Sequence, residues 1–172
     1  MSKNWMRLAI APFLLLSLAA CSASAEEQTE EGLKAAKDIF SGDIVEPNEQ
    51  IKGVDLFVPG GFTIQEDSNE TNIVLMDNSD SYILFINPNE QENSKLFYDL
   101  VQAEKKDEII AQETFVQNDR FGFIAVYPSS EDLYEIISSI GGVKLTTISD
   151  DANISSKMEQ MMKIVRSIQV EA

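Results

Sequence analysis

The stretch Glu131-Asp132-Leu133-Tyr134-Glu135-Ile136-Ile137-Ser138-Ser139-Ile140-Gly141-Gly142-Val143-Lys144-Leu145-Thr146-Thr147-Ile148 decides the fold. Two readings compete for it. Leu133, Ile136, Ile137 and Ile140 fall at helical spacing, with Ser130 before them and Gly141 after. Against that, Gly141-Gly142 separates two runs rich in β-branched residues, 134–140 and 143–148, which is a two-residue hairpin signal. The hairpin is the preferred reading, and it makes the second half of the chain mostly sheet.

Working back from the hairpin, residues 109–117 and 120–127 form a second one around Asn118-Asp119. Phe121, Phe123 and Ala125 alternate there with Gly122, Ile124 and Val126. Ser94 can cap a helix to about Lys106, with Leu96, Phe97, Leu100 and Val101 as its apolar stripe. Before it come three or four short strands near 55–58, 62–66, 73–76 and 82–86. Turns at Pro59-Gly60-Gly61, 67–70 and Asp77-Asn78-Ser79-Asp80 separate them, as in an antiparallel meander. Beyond the hairpin, Ile154, Met158, Met161, Val165 and Ile168 mark one face of a closing helix that starts near 151–153.

Strands, helix, strands, helix, without βαβ alternation or internal repeat, predict an α+β fold with helices packed on an antiparallel β-sheet. The globular domain is expected over 53–172. This order also resembles the PsbP-like α/β sandwich, shared with DcrB-type lipoproteins and a Ran-binding nuclear-import factor. The residues carrying the resemblance are Val58-Pro59-Gly60-Gly61-Phe62, the strand 121–127, Ile140-Gly141-Gly142-Val143, and Ile164-Val165-Arg166-Ser167-Ile168. It would cover roughly 54–170. Members of that fold are mostly accessory or binding proteins with unrelated partners, so the resemblance implies a fold and no particular function.

The N-terminus is more specific. Residues 2–7 carry Lys3 and Arg7, and residues 8–19 are apolar, a run too short for the roughly 20 residues that span a bilayer. Leu18-Ala19-Ala20-Cys21 then resembles the lipobox of bacterial lipoproteins. That resemblance implies a signal peptide over 1–20, cleavage after Ala20, and a diacylglyceryl group on the Cys21 sulfur. The mature protein would then be anchored to the cell membrane or outer membrane, facing the extracytoplasmic side. Two alternatives are cleavage after Ala25, following the Ala23-Ser24-Ala25 sequence, and an uncleaved signal anchor. Residues 21–52 read as the lipidated cysteine and a flexible acidic tether, in which Leu33, Ala36, Ile39 and Phe40 could line a short helix over 33–41.

Composition limits the chemistry. The 172 residues contain 13 Lys plus Arg and 29 Asp plus Glu. Removing the export segment takes away Lys3 and Arg7 only, leaving 11 basic against 29 acidic residues and a formal charge of −18. Such a surface repels nucleic acid and anionic head groups, so neither is an expected partner. The chain has no His, and Cys21 is its only Cys, so Ser-His-Asp, Cys-His and Cys/His zinc sites cannot be built. Gly60-Gly61 and Gly141-Gly142 lack the flanking pattern of a phosphate loop.

Asp77-Asn78-Ser79-Asp80 and Asp150-Asp151-Ala152-Asn153 hold oxygens suited to calcium but not the spaced ligand loop, and turn or cap roles account for them. Ser94-Lys95 and Ser156-Lys157 are sequence neighbours that diverge on a helix. Met158, Met161 and Met162 read as core more readily than as a pliable binding surface. No catalytic, cofactor or metal residue is therefore assigned. The expectation is a non-catalytic binding or scaffolding domain with an envelope protein as partner; the alternative is a small-ligand or cation-binding lipoprotein accessory to a transporter.

Overall fold

The computed structural model describes residues 24–150 and 153–170. Helix α1 (Ala25–Ser41) precedes strands β1 (Glu49–Ile51), β2 (Val54–Leu56), β3 (Phe62–Ile64), β4 (Asn72–Asp77) and β5 (Asp80–Ile86). Helix α2 (Leu96–Lys105) follows, with a 3-10 turn at Lys106–Glu108. Then come β6 (Ala111–Gln117), β7 (Arg120–Ser130), β8 (Leu133–Ile140) and β9 (Val143–Ser149). The chain closes with α3 (Ile154–Ser167) and β10 (Gln169–Val170).

Seven strands make one antiparallel sheet in the order β3-β4-β5-β9-β8-β7-β6. Two meanders, β3 to β5 and β6 to β9, join where β5 pairs with β9. The fold is α+β with helices on both faces of that sheet. A small second sheet, β1-β2-β10, ties Gln169 and Val170 to Val54 and Asp55.

The first face carries the larger core. Ile73, Leu75, Tyr82, Leu84, Ile124, Ile136 and Leu145 project from it against Ala36 and Phe40 of α1 and Ile154, Met158, Met161 and Val165 of α3. The three clustered methionines are fully buried, as core packing requires. On the second face, α2 lays Phe97 and Val101 on Phe121, Phe123, Ala125, Tyr127 and Ile137.

Strand β7 is thus buried on both sides, in the alternation that its sequence predicts. The 133–148 hairpin is also present, with Ile140 opposite Val143 and Gly141 at φ +51°. At the neighbouring β6–β7 turn, Asn118 and Asp119 both take positive φ, the conformation of a type I′ hairpin.

Three expectations need correction. Residues 22–32 do not read out as tether beyond Ser24: α1 begins at Ala25, a full two turns before residue 33, and belongs to the packed unit. Ser24 caps it, accepting from the Glu27 amide at 3.2 Å while the Glu27 carboxylate accepts from the Ser24 amide at 3.0 Å. Glu26 and Glu27 also suit the positive end of the helix dipole. Gly32 lets α1 approach α3, since a Cβ there would lie 2.4 Å from the Met158 sulfur. Second, Leu100 is exposed rather than part of the α2 stripe, and Ser94 accepts from the Leu96 amide one residue outside the helix. Third, the 21–52 stretch also contains β1, a strand too short to leave a periodic signal.

Candidate functional site

Cys21, the one residue assigned a chemical role from sequence, lies outside the described residues. The remaining sequence candidates do not converge. In the Asp77–Asp80 turn, the Asp80 carboxylate is taken by the Lys157 ammonium at 2.7 Å. Lys157 itself is nearly buried on α3, so that carboxylate compensates a charge that the core would otherwise hold alone. Asp151 and Ala152 of the second calcium candidate lie outside the described residues. Among the described residues, no group of three or more Asp, Glu, Cys or His comes close enough to hold a metal ion, and no Asp or Glu is buried.

What the fold does assemble is an open apolar surface. Helix α2 covers only the β6-β7-β8 half of the second face and the near edge of β5, where Phe85 meets Phe97 edge-on with ring centroids 5.8 Å apart. Past that edge, Val74 of β4 stands opposite Ile83 of β5, and Ile83 opposite Thr146 of β9. Ile148 follows two residues along β9, and Met76 two residues along β4. Ile83 is 51% exposed and Ile148 50%, on strands whose other side chains fill the main core. No described element packs over them. Strand alternation explains their direction and not their identity, because an outward position on a solvated face ordinarily carries a polar residue.

This patch has an acidic rim at one end. The β7–β8 turn contributes Glu131 and Asp132, β8 Glu135, and the end of β9 Asp150. On the α2 side a groove of about 370 Å³ continues from the patch, lined among others by Leu100, Tyr127, Glu135 and Lys144. Lys144 lies over the Phe97 ring at 5.3 Å and Lys105 over Tyr127 at 5.6 Å, so both cations are held by aromatic faces. Burial raises the Tyr127 phenol above its ordinary pKa, and so does the neighbouring Glu135 carboxylate. The groove is therefore electrostatically filled by its own groups, whereas the Ile83–Ile148 surface has no internal partner among the described residues.

Ile83 and Ile148 occupy the outward phase of strands whose inward phase is also apolar, a signal visible once the register is known. Among the described residues, no helix is long and apolar enough to cross a membrane. No family model and no curated protein matches the chain. Among solved structures it is similar to the solution structure of cyanobacterial PsbP (CyanoP) from Synechocystis sp. PCC 6803, at 9% identity over 70% of this chain and 88% of that one, with a TM-score of 0.44.

Proposed function

We propose that this chain is a membrane-anchored envelope lipoprotein whose domain is a non-catalytic module that docks a protein partner on the uncovered half of its sheet. One observation carries the docking: Ile83 and Ile148 stand half exposed on adjacent strands with no cover from the domain itself. Contiguous exposed apolar surface of this kind marks interaction sites more often than chance. The acidic rim selects the occupant, an envelope protein presenting an apolar surface edged by Lys or Arg.

The lipid anchor rests on Leu18-Ala19-Ala20-Cys21. The α1 cap favours processing at that position. Cleavage after Ala25 would remove Ser24 and with it the capping box, whereas cleavage before Cys21 keeps it.

Two measurements test the reading. Cys21→Ala should abolish lipid labelling and membrane retention, and unchanged retention would overturn the anchor. A photo-reactive residue placed at 83 or 148 in intact cells should give one discrete adduct that disappears in an Ile83→Asp/Ile148→Asp background probed from position 76. The same residue at Val116, 76% exposed on the far edge strand, should not give it. Equal crosslinking from 83 and 116 would overturn the docking surface.

A further inference from the structure

At the end of the sheet that bears the Gly141-Gly142 turn, a separate cleft of about 240 Å³ opens between the sheet and the end of α3. Arg120, the first residue of β7, and Arg166, in the last turn of α3, both line it. Its walls are apolar: Ile140 and Val143 from the hairpin, Val165 and Ile168 from around Arg166.

The Arg120 side is tightly built. Arg120 Nε donates to the Glu92 carboxylate, and the loop carrying Glu92 is fixed from both sides. The Phe121 amide donates to the Glu92 carbonyl at 2.9 Å, and the Gly141 amide to the Phe121 carbonyl at 2.9 Å. A Cβ on Gly141 would lie 2.5 Å from the Gln91 carbonyl oxygen and 2.6 Å from the Glu92 Cα, so the glycine is what lets this loop lie on the turn.

Arg166 is different. Its Nε donates to the Phe40 carbonyl at 3.3 Å, at the end of α1, and its two Nη groups have no protein acceptor among the described residues. Among the described residues no carboxylate pairs with it. A second guanidinium, that of Arg120, lines the same cleft. Partial burial, and then Arg120, hold the Arg166 pKa below the ordinary arginine value, with Glu92 opposing. Keeping two guanidiniums in one apolar-walled cleft is unfavourable unless an anion joins them.

We propose that this cleft binds a small monoanionic carboxylate with a short apolar stem. Two guanidiniums and Glu92 leave the cleft with one net positive charge, which a monoanion neutralises and a phosphate dianion would overshoot. Planar guanidinium donors match a carboxylate in two-point geometry. The volume lies below the roughly 300 Å³ at which pockets for drug-sized ligands begin, so head and short stem fill it. This site is independent of the docking surface on the second face.

The test is a titration of the purified full chain with pentanoate, followed by NMR of the Val143 and Val165 methyls and the arginine Nε–H resonances. Saturable shifts are expected with pentanoate and none with pentanamide, its neutral counterpart. Arg166→Gln should weaken binding about tenfold or more, the loss of one charge-assisted contact. Glu92→Gln, a change at an exposed side chain, should tighten it several-fold by removing the competing carboxylate. Equal response to pentanamide, absence of saturation, tighter binding of inorganic phosphate on the same methyls, or no gain in Glu92→Gln would each overturn the proposal.

Discussion

Phe40 lies across Gly122, and the contact shows how little room the main core leaves. A Cβ at position 122 would come within 2.7 Å of the Phe40 ring and 3.0 Å of the Ser139 carbonyl oxygen, while Phe40 also stacks on Phe115 at 5.2 Å. Gly122→Ala is therefore expected to cost about 1–3 kcal/mol of stability in urea denaturation. In a Phe40→Ala background most of that penalty should vanish; equal penalties in both backgrounds would mean that the ring is not the obstacle.

Tyr82 tests the opposite defect. It is fully buried against Phe62, yet its hydroxyl has no hydrogen-bond partner among the described residues. Tyr82→Phe should be neutral or stabilising by up to about 1 kcal/mol, since no bond is lost and a desolvated hydroxyl is removed. Burial, then the charges of Asp80 and Asp77, hold the Tyr82 phenol above its ordinary pKa. The unfolded chain releases that proton first as pH rises, so the stability is fully present below about pH 10 and is lost above it. Alkaline denaturation of Tyr82→Phe should accordingly show a shallower decline than the wild type.

Among the elements, β8 was hard to read because it is buried on both faces. Ile136 and Ile140 point to α1 and α3 while Ile137 points to α2, so apolar residues occur in both phases and imitate a helical stripe. Gly141-Gly142 broke the tie, and the contact of Gly141 with the 91–92 loop explains why glycine stands there. Helix α1 is longer than its apolar stripe for another reason. Its first two turns are acidic, and solvation of that face resembles a tether until the α3 surface is present to receive Ala36 and Phe40. Ser24→Ala should cost about 1 kcal/mol and fray the first turn, measurable as faster amide exchange at Glu26 and Glu27. Exchange unchanged from wild type would show that the capping box contributes nothing.

Across the whole molecule, acidic charge far exceeds its internal compensation. The ion pairs among the described residues engage Lys37, Lys105, Arg120, Lys157 and Lys163, leaving most carboxylates to repel one another. Raising NaCl from about 0.02 M to about 0.3 M shortens the Debye length to well under typical surface spacings. The thermal midpoint should rise by several degrees in a calorimetric scan at pH 7. A midpoint that stays level would mean that the surface charge is already balanced by bound cations.

The sequence by itself determined the fold class, most strand and helix positions and a residue inventory without His. These follow from local periodicity, turn chemistry and residue inventory, none of which needs a partner in space. Only the tertiary structure decided that α1 is part of the domain, that the β1-β2-β10 sheet exists, and that Arg120 and Arg166 share a cleft although 46 positions separate them. It also decided which side of the sheet is left uncovered around Ile83 and Ile148. Those features depend on which faces meet, and a one-dimensional pattern records that a face is apolar without recording what lies against it.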